Sequence, residues 1–321
     1  MASRIVVVTQ SMVDEEVVRE MAPDGFELLI AKPGSPEWQG AMGGADYLVG
    51  FADMLVQDEL FAISPKLRLV QVLSAGYDRA DLAAARRAGV PLCNNGGANS
   101  VAVSEHALLL MLAVSRQLIK QHANVVAGRW RGNSTPRLHE VRGKTLGIIG
   151  MGTIGKKVAR LAQAFGMPVH YYDIARLPED QEDLLNVRFR LFRELLRTSD
   201  IVSLHVPLNA STRHMLGARE LALLQPEAIL INTSRGPVID EVALHAALAA
   251  GAFAGAGLDV FDQEPPPADN PLFNLDNVVL TAHMAGPTQE SNISRLRNAF
   301  DNVQRMERGE APLWVVPELL A

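Results

Sequence analysis

Short runs of β-branched and other apolar residues alternate with helical stretches along almost the whole chain, and they do so in two separate series. Residues 5–9, 47–50, 69–73 and 91–94 form the first, with helix-patterned segments such as 81–88 between them. Residues 145–150, 169–173, 201–206, 229–232, 255–260 and 278–281 form the second. A strand buried on both sides has no polar face to alternate with, so this pattern predicts parallel sheets with helices on both faces. At 321 residues the chain exceeds the usual size of one core, and an α/β fold of two doubly wound parallel-sheet domains is expected. Residues 104–121 lack proline and glycine and carry Ala107, Leu108, Leu110, Met111 and Val114, which predicts one long, mostly buried helix linking the two series. Residues 128–142, with Trp130 and Pro136 and no clear period, predict an extended arm. Residues 288–308 predict a helix with Ile293, Leu296 and Phe300 on one face.

Composition removes several function classes. With 48% hydrophobic residues, 21% charged and a net charge of -6, neither a disordered chain nor a nucleic-acid-coating one is indicated, and no nucleic-acid partner is expected. The longest apolar run, residues 107–114, falls far short of the roughly 20 residues that span a bilayer, so no membrane partner is expected. The N-terminus enters a β-branched strand without the regions of a signal peptide, and a cytoplasmic location is the expectation. Cys93 is the only cysteine, which excludes an intrachain disulfide and a cysteine-based zinc site; it reads as structural, and no metal is expected.

The most specific chemistry lies in Gly150-Met151-Gly152-Thr153-Ile154-Gly155, which follows the strand 145–149 and opens the helical run 156–165. Glycines recur in turns, so the spacing alone is weak. A strand before it, a helix after it and an acid about 20 residues on make it a dinucleotide fingerprint, and Asp173 supplies the acid. Gly150 permits the tight turn, Gly152 the approach of a pyrophosphate and Gly155 close helix–strand packing, while the helix N-terminus offers N–H groups to the anion. At a strand end the Asp173 carboxylate would accept from ribose hydroxyls and repel a 2′-phosphate, which favours NAD; the alternative is an aspartate capping a turn. Arg176 nearby can pair with that phosphate, so NADP is not excluded.

Three further polar residues follow strands of the second series: Arg235 after 229–232, Glu264 after 255–260 and His283 after 278–281. The C-terminal strand ends of a parallel sheet face one crevice. An arginine there can clamp a carboxylate, a histidine can exchange a proton, and a glutamate beside it would keep that histidine charged. Singly, Arg235 also reads as a solvated turn residue, His283 as a half-buried histidine and Glu264 as a turn cap. His106 and His205 read as structural from their settings, and Trp130 and Trp314 as packing or interface residues.

On four motifs the chain resembles the D-isomer-specific 2-hydroxyacid dehydrogenase family, of glyoxylate/hydroxypyruvate reductase type, along essentially its whole length. They are the glycine loop with Asp173, Asn232-Thr233-Ser234-Arg235-Gly236, Gly257-Leu258-Asp259-Val260-Phe261-Asp262-Gln263-Glu264-Pro265, and Thr281-Ala282-His283-Met284-Ala285-Gly286. The resemblance implies that Arg235 holds the substrate carboxylate, that His283 is the general acid/base and that Glu264 orients it. It implies a cofactor site that also includes His205, Pro207, Thr212, Thr233, Asp259 (against the nicotinamide carboxamide), His283 and Gly286. It implies a substrate site that includes Met54 and the backbone donors of Ser74, Ala75 and Gly76. It further implies a Rossmann-type cofactor domain, residues 100–287, inserted into a flavodoxin-like substrate domain, residues 1–99 and 288–321, with the long helix and arm forming a homodimer.

Departures from the family's branches narrow the substrate. Family members acting on formate carry glutamine where Glu264 stands, and those acting on phosphite carry lysine where Ala75 stands. Phosphoglycerate dehydrogenases use basic residues in the early loop, where this chain has Gly50-Phe51-Ala52-Asp53-Met54, although Arg79 keeps that alternative open. A small unphosphorylated 2-keto or 2-hydroxy acid is expected. An NADH-responsive corepressor-like interaction module is the alternative of another class.

Overall fold

The structure, a computed structural model, describes residues 2–9, 13–131 and 137–320. Pro136, expected within the arm, lies outside them. The chain divides into two compact units, Met1–Asn99 with Pro287–Ala321, and Ser100–Gly286.

In the first unit the strands are β1 (Arg4–Val8), β2 (Glu27–Ile30), β3 (Tyr47–Gly50), β4 (Leu69–Val72) and β5 (Leu92–Cys93). They form a parallel sheet in the order β2-β1-β3-β4-β5, the flavodoxin-like order. Successive side chains point to opposite faces. Val6, Leu48 and Val70 enter a core with Trp38, Met42 and Leu60 on one side. Ile5, Val7, Tyr47, Val49 and Leu69 enter a second core on the other. The lid of that second core comes from far along the chain: helix Gln289–Glu307 covers it with Leu296, Ala299, Phe300 and Val303. Thr288 fixes where this helix starts, since its side chain accepts from the Ser291 N–H while Ser291 bonds back to the Thr288 backbone.

In the second unit the strands are β6 (Leu146–Ile149), β7 (Val169–Tyr172), β8 (Val187–Phe189), β9 (Ile201–Leu204), β10 (Ile229–Asn232), β11 (Gly255–Leu258) and β12 (Val278–Leu280). They pair in parallel in the order β12-β11-β10-β9-β6-β7-β8. Strand order reverses between β6 and β9, and in such a sheet the crevice at the carboxyl ends beside the reversal is where ligands bind. Helix Ser100–Ser115 buries Ala107, Leu110 and Met111 against one face, with Val158 and Ala162 of helix Thr153–Ala164.

Two expectations need correcting. The helix expected over 104–121 is two helices, Ser100–Ser115 and Leu118–Val126, bent by 61° to each other. The break falls at Gln117, whose φ of 46° is left-handed, and the Arg116 carbonyl it releases accepts from the Gln121 side-chain amide. The first helix is mostly buried, with Val101, Glu105 and Leu109 exposed; the second buries none of its residues. No single helix among the described residues is long and apolar enough to cross a membrane. Strands β2 and β8 were not expected from the sequence. Both are short edge strands, and β2 has one exposed residue followed by three half-buried ones rather than an alternation.

Candidate active site

Each motif of the second unit runs on from the carboxyl end of a strand, because a parallel sheet delivers its loops to one edge. Gly150 follows β6 with a φ of 97°, and a Cβ there would lie 2.5 Å from the carbonyl oxygen of His205, just after β9. Only glycine lets the two loops meet so closely. Gly155 sits against the Gly150 carbonyl, whereas nothing lies within 4 Å of where a Gly152 Cβ would be. Gly152 caps helix Thr153–Ala164 without a side-chain bond, which leaves the Thr153 and Ile154 end of the helix open to an anion. Asp173 follows β7; its Oδ2 accepts from the Met151 N–H at 2.7 Å and its Oδ1 from Ala175 at 3.0 Å, tying the acid to the glycine loop.

Around this loop, two buried polar atoms lack partners among the described residues: Thr233 Oγ1 after β10 and His205 Nδ1 after β9. Buried polar atoms are seldom left so unless a ligand completes them. Burial pushes the His205 imidazole down to about 4, so it is neutral, and its Nε2 meets Ser203 Oγ at 2.9 Å. Thr212 Oγ1 donates to the Pro207 carbonyl at 2.6 Å, so these two residues form one turn. An open glycine loop, an uncapped helix start, a strand-end carboxylate and two orphaned polar atoms fit a dinucleotide.

Arg235, Glu264 and His283 come together beside it. Gly236 is responsible for part of this: a Cβ there would stand 1.8 Å from the Phe261 carbonyl oxygen, so the Arg235 loop lies directly on the Glu264 loop. His283 Nδ1 is 2.7 Å from Glu264 Oε2, while Glu264 Oε1 accepts from the Phe261 N–H at 3.1 Å. Partial burial pushes the Glu264 carboxyl up; the His283 hydrogen bond and charge, the Phe261 N–H and the Arg235 charge outweigh it and hold it below the usual carboxylate range. The Arg235 Nη1 donates to the Ser234 carbonyl at 2.8 Å.

His283 has a φ of 52°, a conformation non-glycine residues rarely adopt. Asp259 holds it there. The Asp259 carbonyl accepts from the His283 N–H at 2.8 Å, and its carboxylate accepts from the next two N–H groups, Met284 and Ala285, at 2.8 and 2.9 Å. The Thr281 hydroxyl donates to the same carboxylate at 2.6 Å, and His106 Nε2 meets that hydroxyl at 2.9 Å. The Asp259 side chain is fully buried, with both carboxylate oxygens turned to this loop. Gly286 closes the loop, buried. The role of His106 escaped sequence reading, since a histidine inside an apolar helix carries no sign of what it meets.

Met54, Ser74, Ala75 and Gly76 belong to the first unit. In the segment Ser74-Ala75-Gly76 the carbonyls are engaged: Ser74 O accepts from Asn95 N, Ala75 O from Asn94 Nδ2 and Gly76 O from Ser74 Oγ. Met54 is half exposed.

A family model described as "D-isomer specific 2-hydroxyacid dehydrogenase, NAD binding domain" matches residues 108–285. The chain belongs to that family. This dehydrogenase is an NAD(P)-dependent oxidoreductase of 2-keto and 2-hydroxy acids. Among curated relatives, a protein named glyoxylate reductase from Korarchaeum cryptofilum is 42% identical over 83% of this chain and 81% of its own. Among solved structures, a glyoxylate reductase from Paecilomyes thermophila is 33% identical with a TM-score of 0.87, covering 99% of both chains. A D-lactate dehydrogenase from Aquifex aeolicus, complexed with NAD and lactic acid, is 27% identical with a TM-score of 0.81 over 95% of this chain and 96% of that one.

Proposed function

We propose that the dehydrogenase uses NADH to reduce a small unphosphorylated 2-keto acid of the glyoxylate, hydroxypyruvate or pyruvate type to the hydroxy acid, D-configured where the product is chiral. The observation that carries this reading is the His283–Glu264 pair at 2.7 Å, beside Arg235 at the sheet edge that holds the glycine loop. Gly150, Gly152, Gly155 and Asp173 would hold the nicotinamide dinucleotide, which when bound would supply the hydride for the keto carbon. Arg235 offers a planar fork to the substrate carboxylate. With Nδ1 occupied by Glu264, His283 delivers the proton from Nε2 to the keto oxygen as the carbon is reduced, and the ring recovers that proton from water. Glu264 stabilises the imidazolium that this delivery requires.

Within the first unit, the basic residue that keeps a phosphorylated substrate open is already engaged. Arg79 forks onto Asp53, with bonds of 3.0 and 2.7 Å, and Asp53 is buried, so the guanidinium there is already neutralised and makes a poor phosphate receptor. The relatives named glyoxylate reductase point the same way. NADH oxidation with a panel of glyoxylate, hydroxypyruvate, pyruvate and 3-phosphohydroxypyruvate tests the reading. Glyoxylate or hydroxypyruvate should lead in kcat/KM. No turnover of any keto acid, or a preference for the phosphorylated one, would overturn it.

The same reading includes a homodimer. Helix Leu118–Val126 and the start of the arm expose Leu118, Ile119, Val125, Val126 and Trp130, an apolar surface of the kind that a second copy covers.

A further inference from the structure

Arg176 is the residue that leaves NADP use open in the sequence, because it follows Asp173 by three positions on the loop after β7. The structure gives that guanidinium another occupation. Its Nε donates to Glu182 Oε1 at 2.7 Å and its Nη2 to Glu182 Oε2 at 3.2 Å, a two-pronged fork. Glu182 is buried, and its Oε1 also accepts from the Tyr171 hydroxyl at 2.8 Å. Tyr171 is itself fully buried on β7, and its oxygen accepts from the Leu177 N–H. On the far side, the Arg176 guanidinium lies over the Phe189 ring, 5.4 Å from its centre.

A buried carboxylate that loses its cation is left uncompensated, so moving Arg176 away costs far more than breaking a surface pair. The Arg176 hydrogen bond holds the Glu182 carboxyl below the usual carboxylate range, so the fork persists at working pH. Asp173, meanwhile, presents its own charge at the ribose position with both oxygens tied to the backbone.

We infer that Glu182 is a specificity-determining residue for the cofactor: it sequesters Arg176 in the Glu182–Tyr171–Phe189 clamp and so withholds the cation that a 2′-phosphate would need. Discrimination against NADPH then has two parts, repulsion by Asp173 and removal of Arg176 by Glu182. This rests on the dinucleotide site described above and not on the choice of keto acid.

The test is direct binding of NADH and NADPH, read from cofactor fluorescence without keto acid, on the full chain and its variants. In an Asp173→Ala background, Glu182→Gln should strengthen NADPH binding relative to NADH by about 10-fold, since a charge-assisted contact becomes available. Adding Arg176→Ala to that pair should abolish the gain. Arg176→Ala on its own, or with Asp173→Ala, should leave the NADPH to NADH ratio within about 2-fold of its parent, because the clamped guanidinium contributes nothing to phosphate binding. A clear fall in the NADPH to NADH ratio in Arg176→Ala alone would overturn the inference, as would an unmoved ratio in folded Asp173→Ala/Glu182→Gln. Should Glu182→Gln fail to fold, Glu182→Asp, which keeps the buried charge but draws it back from the Arg176 fork, takes its place in the Asp173→Ala background with the same expected and overturning outcomes. Keto-acid turnover with NADH, followed in parallel, separates a failure here from a failure of the catalytic reading.

Discussion

At the Glu264 carboxyl, burial works against ionisation while His283, the Phe261 N–H and Arg235 work for it, and the balance lies on the ionised side. A carboxyl depressed in the folded chain contributes fully above its ordinary range, and the contribution is lost only as pH falls through the depressed value. Wild-type kcat/KM for keto-acid reduction should therefore hold through mildly acidic pH and fall as Glu264 protonates. Glu264→Gln keeps the shape and has nothing to titrate, so it should lower kcat/KM on the order of 100-fold and lose that acid limb. An unchanged limb in a folded, NADH-binding variant would reduce Glu264 to a turn residue. Arg235, Glu264 and His283 were legible in the sequence because each stands in a motif just after a strand. Glu182 was not: its burial and its meeting with Arg176 and Tyr171 are made by packing between a helix and a strand, and neither leaves a local pattern.

Among the elements, those buried on both faces were the most legible, as with β3 and β10, whose residues are all buried. Edge strands such as β8, with an exposed Arg188 at its centre, were not, since half-solvated chain of three residues resembles a loop. The turn at Gln117 was hidden for another reason: glutamine is an ordinary helix former, and its left-handed φ leaves no mark in the sequence. Contact between elements also sets the catalytic geometry at Gly236. Gly236→Ala would drive a methyl into the Phe261 carbonyl, which is backbone and cannot rotate aside. The Arg235 and Glu264 loops should separate, lowering stability by about 1–3 kcal/mol and kcat/KM more steeply than NADH affinity. Thermal melts and steady-state kinetics check this; wild-type values in both would show that the loops do not need to touch.

For the molecule as a whole, the exposed apolar face of helix Leu118–Val126 predicts a mass in solution of twice the 34.8 kDa of one chain. Sedimentation at micromolar concentration should give the dimer, and Ile119→Asp with Val126→Asp should give a folded monomer; a monomeric wild type would refute the association. The interrupted course of the first unit has its own outcome during synthesis. Tyr47, Val49 and Leu69 leave the ribosome early, yet the helix that covers them, Gln289–Glu307, is made only after all of Ser100–Gly286. At about 5–20 residues per second, that face waits on the order of ten to forty seconds without its cover. Throughout that interval the nascent chain offers a binding surface to chaperones, and a chain truncated before Gln289 is a sticky product however well its second unit folds.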